Sequence, residues 1–397
     1  MKRKELLHLA FHLSALSIIL LQQISVPQIN NIQIITPIII AIGAALILTG
    51  AAKVQNSKLL ATAYIFATIS TLISIIKNPD IISLQSYIYF AALYLIFFVR
   101  PTKENNLIEK LPSIGILFSA IGIGQLLAQY IGIPFFDVRS IAPESTIIQN
   151  YNYSYETSYN SGIFKPNGAT FLEPSFFSQF MALFLIVEYH NKRRALFLAT
   201  FALSILASHS GTGIIILLFW AISFPIFINP MRTSSIIGLM LPIAAVLIAL
   251  GQSEYLYTRA LEITREESSA HIRFIAPLLN YQALIDSTGI ATLLFGAGPG
   301  SSENIILTYQ ANYSAFFKAI FEYGLFFSLS YVFWWAIFLK RNAPNYLFAP
   351  LFAFIFIASG SFLQPLTLLA AWFFCFFASP TCQQRTLQPR PCNQLVI

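Results

Sequence analysis

Residues 164–189 read FKPNGATFLEPSFFSQFMALFLIVEY. The second half is a largely apolar run of the kind a bilayer accepts. The first half sets Lys165, Asn167, Glu173 and two prolines directly against it. Pro174 suits the first turn of a helix, where its missing N–H costs nothing. The stretch therefore predicts a polar loop that re-enters a membrane at Glu173, and the remaining question is how many such runs the chain contains.

Composition points the same way along the whole length. Only 10% of the 397 residues are charged, and 56% are hydrophobic. A soluble chain carries about 25% charged residues. Thirty-seven Phe and a mean hydropathy of +0.69 add to the contrast. The reading is an all-α, polytopic membrane protein forming a single integral membrane domain over 1–397. Apolar runs lie at roughly 6–26, 32–52, 59–76, 81–99, 111–132, 175–189, 195–208, 212–228, 234–251, 313–338, 346–361 and 363–379. They predict about twelve transmembrane helices. The short pair 195–208 and 212–228 also suits a re-entrant hairpin. MKRKELLHLAFHLSALSIILL lacks a small-residue cleavage site and is read as a retained first span.

The net charge of +7 does not indicate nucleic acid, because the basic residues fall in short clusters between apolar runs. Sixteen of the 23 Lys and Arg, from Lys2, Arg3 and Lys4 to Arg385 and Arg390, fall on the side of the termini. The positive-inside rule then makes both termini cytoplasmic. Two long loops face outward, at about 133–174 and 252–311, and loops beyond about 15 residues are usually functional or disordered. The three cysteines, Cys375, Cys382 and Cys392, lie outside these loops, which argues against a disulfide framework or a zinc site.

The first loop contains IIQNYNYSYETSYNSG (147–162). A tyrosine ring packs on a sugar face and an asparagine amide bonds hydroxyls. The same residues suit a solvated loop with interfacial tyrosines. In the second loop Leu256, Ala260 and Ile263, then Ile272, Ile275, Leu278 and Leu279, recur at helical spacing, with Pro277 interrupting. Short amphipathic helices on the membrane surface are expected. No internal repeat suggests the paired halves of a secondary transporter.

Nucleotide signatures are absent. LFGAGPGSS (294–302) has alternating glycines but no βαβ context, and reads as a tight turn. His8 and His12 have no third ligand, so no metal and no cofactor is expected. What remains is cations and carboxylates. Arg139, Lys165, Arg259, Arg265 and Arg273 lie in the long loops. Cations there commonly anchor to headgroups, yet they also match phosphate oxygens. Arg273 sits in the apolar stretch HIRFIAPLL, whereas Arg259 and Arg265 have Glu262, Glu266 and Glu267 nearby. Glu173 either caps the helix that follows or acts as a general base. Lys318 and Glu322, four apart within a span, either pair or mark a functional site.

These residues resemble a known family. The pattern basic–Pro–x–Gly–x–x–x–x–Glu–Pro–Ser, Lys165 to Ser175, is similar to the opening of a mid-chain span in O-antigen and exopolysaccharide polymerases. SHSGTGIIILLF (208–219), HIRF, LLFGAGPG and NYSAFFKAIFEYGLFF resemble later segments of that family, in order, over about 160–340. The resemblance implies a membrane glycosyltransferase of type C-like architecture. Its donor and acceptor would be undecaprenyl-pyrophosphate-linked oligosaccharides, joined at the outer face of the inner membrane without nucleotide sugar or obligatory metal. A chain-length regulator and a flippase would be partners alongside the lipid bilayer. Glu173 and Arg273 would be catalytic, and Lys165, Arg139, Arg259, Arg265, Asn167 and His271 would bind substrate. The related O-antigen ligases usually carry His-Asn where this chain has Ala311-Asn312, and the family more often has arginine at the position of Lys165. A ligase is the second reading, and a lipid-linked oligosaccharide flippase the third.

Overall fold

The structure is a computed structural model and describes residues 3–27, 32–77, 79–102, 105–149, 151–157, 161–227, 271–305, 309–358 and 360–378. The apolar run 234–251, the first part of the second long loop, Cys382 and Cys392 lie outside the described residues.

Helices dominate. They are α1 (Arg3–Leu20), α2 (Ile35–Leu48), α3 (Lys58–Lys77), α4 (Leu84–Tyr94), α5 (Leu111–Tyr130), α6 (Pro174–His190), α7 (Ala195–Ala207) and α8 (Gly211–Phe227). After the gap come α9 (Ala276–Thr288), α10 (Ile290–Phe295), α11 (Ser301–Asn304), α12 (Ala315–Asn342), α13 (Asn345–Ala353) and α14 (Pro365–Phe376). Two antiparallel strand pairs, Ser25–Val26 with Ile32–Gln33 and Ala52–Val54 with Val99–Pro101, tie helix ends together. Three helices among the described residues, Lys58–Lys77, Leu107–Tyr130 with its leading turn, and Ala315–Asn342, are long and apolar enough to cross a membrane. Six shorter apolar helices accompany them.

The sequence shows why several helices start where they do. Pro112, Pro174, Pro277 and Pro365 each occupy the first turn of a helix. Proline fixes a helical φ there and withholds an N–H that would have no partner. Pro277 therefore opens α9 and does not interrupt a helix, correcting the expectation from spacing. The residues before it, His271–Ile275, form a π-helical turn.

α6, the run quoted at the outset, lies at the centre. Every residue from Phe176 to Glu188 is buried, as expected for a helix apolar on all sides. It packs against α5, α7, α8 and α13. Gly115 and Gly122 of α5 leave room for the rings of Phe184 and Phe177, which a Cβ would meet at 2.3 Å in both cases. Small residues at such contacts let apolar helices approach closely.

α12 is broken. Gly324 has φ 78° and ψ −176° in its midst. A break there removes the partners of the carbonyls of Phe321 and Glu322. The glycine-rich turn supplies replacements: Ala297 N–H donates to Phe321 O at 2.9 Å and Gly298 N–H to Glu322 O at 2.8 Å. The tight turn expected from LFGAGPGSS is thus a backbone clasp on a helix break, satisfying the groups a kink exposes.

Candidate functional site

Two glutamines of α5 build the first loop's frame. Gln125 and Gln129 are four residues apart and face the loop on one side of the helix. Gln125 Nε2 donates to Phe136 O (2.7 Å) and Asn167 Oδ1 (3.2 Å), while its Oε1 accepts from Asn167 and Ala169 N–H, both at 3.2 Å. Gln129 takes Phe164 N–H at 2.7 Å and donates to Phe164 O at 3.0 Å. The clasp holds a tight turn in which Gly168 and Ala169 have φ of 62° and 65°. A side chain at 168 would also strike Phe177 at 2.8 Å, so glycine serves both the backbone and the packing.

Three expected residues, Asn167, Arg139 and Lys165, fall around this turn. Asn167 is fully buried, and its Nδ2 reaches Asp137 Oδ2 at 3.5 Å. Asp137, also buried, holds Arg139 through the guanidinium Nε and Nη2, each at 2.8 Å. Arg139 lies 4.5 Å over the Tyr153 ring. Lys165 is buried, its ammonium 4.8 Å from the centre of the Tyr155 ring.

Glu173 occupies the N-cap position of α6 in extended conformation, yet its side chain makes no capping bond to the helix. Its Oε1 accepts Asn152 N–H at 3.0 Å and its Oε2 accepts Ser175 Oγ–H at 3.0 Å. Of the two roles open from sequence, simple capping is the one this geometry leaves unfilled. The carboxylate is half-buried. Burial, then the Glu173 charge, raise the phenol pKa of Tyr151, so Tyr151 stays protonated beside it.

Sequence reasoning passed over His209. The turn between α7 and α8 sits against the start of α6: Thr212 Oγ1 donates to Ser175 O at 3.1 Å, and Ser178 Oγ to Ser210 O at 3.3 Å. Partial burial, then the Lys165 ammonium, lower the pKa of His209 below its ordinary value. The imidazole and the Lys165 cation therefore share one electrostatic neighbourhood. A histidine between two short apolar runs carried no local sign of this, since Lys165 is 44 positions away. Gln125 and Gln129 did carry one: two polar side chains at helical spacing inside an apolar run.

Arg273 lies in the π-helical turn, half-buried, and its guanidinium has no hydrogen-bond or ion-pair partner among the described residues. Ile272 O accepts Asn312 N–H at 2.9 Å, which fixes that turn to the start of the next segment. Asn312 Oδ1 and Gln364 Oε1 lie 3.9 and 3.3 Å from where a Cβ on Gly360 would stand. Gln364 Nε2 in turn donates to Tyr151 OH at 3.4 Å. Asn312 and Gln364 thus both border the space beside Gly360, and Gln364 reaches Tyr151. His271 is buried in the same turn. Arg259 and Arg265 lie outside the described residues.

Lys318 and Glu322 do pair, at 3.7 Å, and Lys318 also bonds Glu303. Ser302 Oγ donates to Glu322 Oε1 at 2.6 Å. This cluster sits at the helix break and is separate from the first-loop residues. Among the described residues no three His, Cys, Asp or Glu side chains gather as a metal-binding set.

No curated protein and no solved structure matches the chain. A family model does, across residues 11–377, which takes in α2 to α14, both loops and the helix break. The ordered motifs from Lys165 to the α12 helix and the residues gathered around Glu173 fall within that match, and the chain belongs to the WcaD colanic acid polymerase family.

Proposed function

We propose that this membrane glycosyltransferase joins undecaprenyl-pyrophosphate-linked oligosaccharide repeat units into an exopolysaccharide at the outer face of the inner membrane. On this reading about twelve helices cross the bilayer, both termini are cytoplasmic, and the two long loops meet outside. The observation that carries the proposal is the state of Glu173. Its carboxylate is held by Asn152 N–H and Ser175 Oγ and makes no capping bond to the backbone N–H groups of α6. A half-exposed carboxylate fixed in this way suits a general base.

The step would run as follows. A hydroxyl of the acceptor's terminal sugar gives its proton to Glu173 as its oxygen bonds the anomeric carbon of the donor. The bond from that carbon to the pyrophosphate oxygen breaks, and undecaprenyl pyrophosphate leaves with the electron pair. Arg273, whose guanidinium has no anionic partner among the described residues, and Lys165 would offset the charge that develops on the leaving group. No metal is required in this scheme, and the polyprenyl tail would lie in the apolar surface between helices.

Replacement in cells tests the assignment. Glu173→Gln and Arg273→Ala, at normal protein levels, are expected to abolish long polymer and leave single lipid-linked repeat units, with losses of about 100-fold or more for the base. Polymer of normal length and yield from both variants would overturn the assignment. Accumulation of long lipid-linked chains in the null strain would instead indicate a ligase.

A further inference from the structure

A cleft of about 600 Å³ opens between the C-terminal end of α5 and the first loop. Its walls include Gln129, Phe135, Asp137, Arg139, Ser154 and Phe164. That volume falls inside the range of about 300–1,000 Å³ common to small-molecule clefts. Its chemistry is unlike that of the Arg273 turn. Among the described residues, the charged ones lining it are Asp137 and Arg139, and they neutralise each other through two contacts of 2.8 Å. Arg139 Nη2 also bonds Ser154 Oγ. A pyrophosphate would have to compete with a buried carboxylate for this guanidinium, and Asp137 would repel it.

The remaining walls suit a different ligand. Phe135 and Phe164 stand 5.7 Å apart at 47°, giving two apolar faces. The Ser140 and Ser154 hydroxyls and the Gln129 amide line the same space. Flat apolar rings beside neutral hydrogen-bonding groups match the faces and hydroxyls of a sugar. Asn167 ties this cleft to the Lys165 turn through Asp137.

We propose that the Arg139 cleft is a saccharide subsite that binds an uncharged stretch of the repeat unit, and that Arg139 serves there as a hydroxyl donor and not as a pyrophosphate ligand. The proposal rests on the polymerase reading for the identity of the glycan. Within it, the cleft lets the enzyme grip a repeat unit through its sugars while Lys165 and Arg273 handle its pyrophosphate.

The test uses the purified full-length protein in detergent and the lipid-free oligosaccharide released by mild acid from single repeat units. Calorimetry should detect binding to the unaltered protein, and millimolar inorganic pyrophosphate should not displace the sugar. Phe135→Ala should weaken binding by about 10-fold. Ser154→Trp, at an exposed position on the cleft wall, should block it, removing the Ser154 bond to Arg139 but leaving the Asp137–Arg139 pair. Displacement by pyrophosphate, equal affinity in Phe135→Ala and Ser154→Trp, or no binding at all would overturn the subsite. The polymerase reading fails separately, when cells carrying Glu173→Gln make normal polymer.

Discussion

The first loop and the glycine-rich turn at the helix break are held in opposite ways. The first, between α5 and α6, is fixed by side chains: Gln125 and Gln129 bond the backbone of residues 136 and 164–169. The second, from 294 to 298, is fixed chiefly through its backbone, with Ala297 and Gly298 N–H donating into the break of α12 and the Phe295 carbonyl accepting the Ser70 hydroxyl. A side-chain clasp can be trimmed one bond at a time. A backbone clasp leaves no room for a side chain, so it holds or fails as a unit. The first arrangement suits a loop whose polar groups are tuned for a ligand, and the second suits a joint that sets where the helix ends.

The largest effect is expected from breaking the backbone clasp. A Cβ on Gly324 would stand 2.4 Å from Leu294 O and 2.5 Å from Gly296 N, both backbone atoms. The φ of 78° adds about 1–2 kcal/mol of strain for any L side chain. Gly324→Ala should therefore cost about 3 kcal/mol or more. In practice little monodisperse protein should be recovered after detergent extraction. Normal recovery and an unchanged melting temperature would show that the break is not needed for folding.

Trimming the side-chain clasp should do less. Gln125→Ala leaves the buried N–H of Asn167 and the carbonyl of Phe136 without a partner. Orphaning a buried group costs about 1–3 kcal/mol; the Phe136 carbonyl is only part-buried and can turn to water, so a loss of about 1–3 kcal/mol is expected. Gln129→Ala should cost less, because its bonds to Phe164 are only part-buried. Both should shorten polymer by loosening the Lys165 turn. If Gln129→Ala destabilises more than Gln125→Ala in thermal melts, the clasp is anchored at the wrong end of this account.

How much of this was legible beforehand follows from the same contrast. Helix starts were written in prolines, because proline's fixed φ and missing N–H are local properties. Pro277 was misjudged only because helical spacing was followed upstream of it, into residues that form a π-helical turn. The role of Glu173 was open because its partners decide it: Asn152 is 21 positions away, and no local pattern says that its N–H will take the carboxylate from the helix end. Arg139 is the opposite case. Asp137 lies two residues before it, so the neutralising pair was readable in DVRS, but a count of cations hid it. The glycines of 296–300 were seen as a turn, while the helix break they serve depends on Gly324 and could be seen only in three dimensions.

The smallest effect concerns the electrostatics that join the side-chain-held loop to the turn before α8. Burial, then Lys165, keep the pKa of His209 below its ordinary value of 6.5 in the folded protein. Above that value the ring is neutral in both folded and unfolded chains and changes nothing. As pH falls through 6.5 the unfolded chain takes up a proton that the folded chain resists. Stability is therefore full above the unfolded value and is lost as pH falls towards the folded one. The loss should be shallow, because the ring remains in part exposed and water screens both causes. His209 has φ 48°, so His209→Asn is the suitable replacement, asparagine being tolerant of left-handed backbone. Melting temperatures measured between pH 7.5 and about 5.5, the span that brackets an ordinary histidine, should fall less steeply in His209→Asn than in the unaltered protein. Lys165→Met should flatten the same limb by removing one of the two causes. Parallel slopes in all three proteins would mean that His209 and Lys165 do not sense each other, and that the α7–α8 turn is tied to this region through the Thr212 and Ser178 hydrogen bonds with the start of α6.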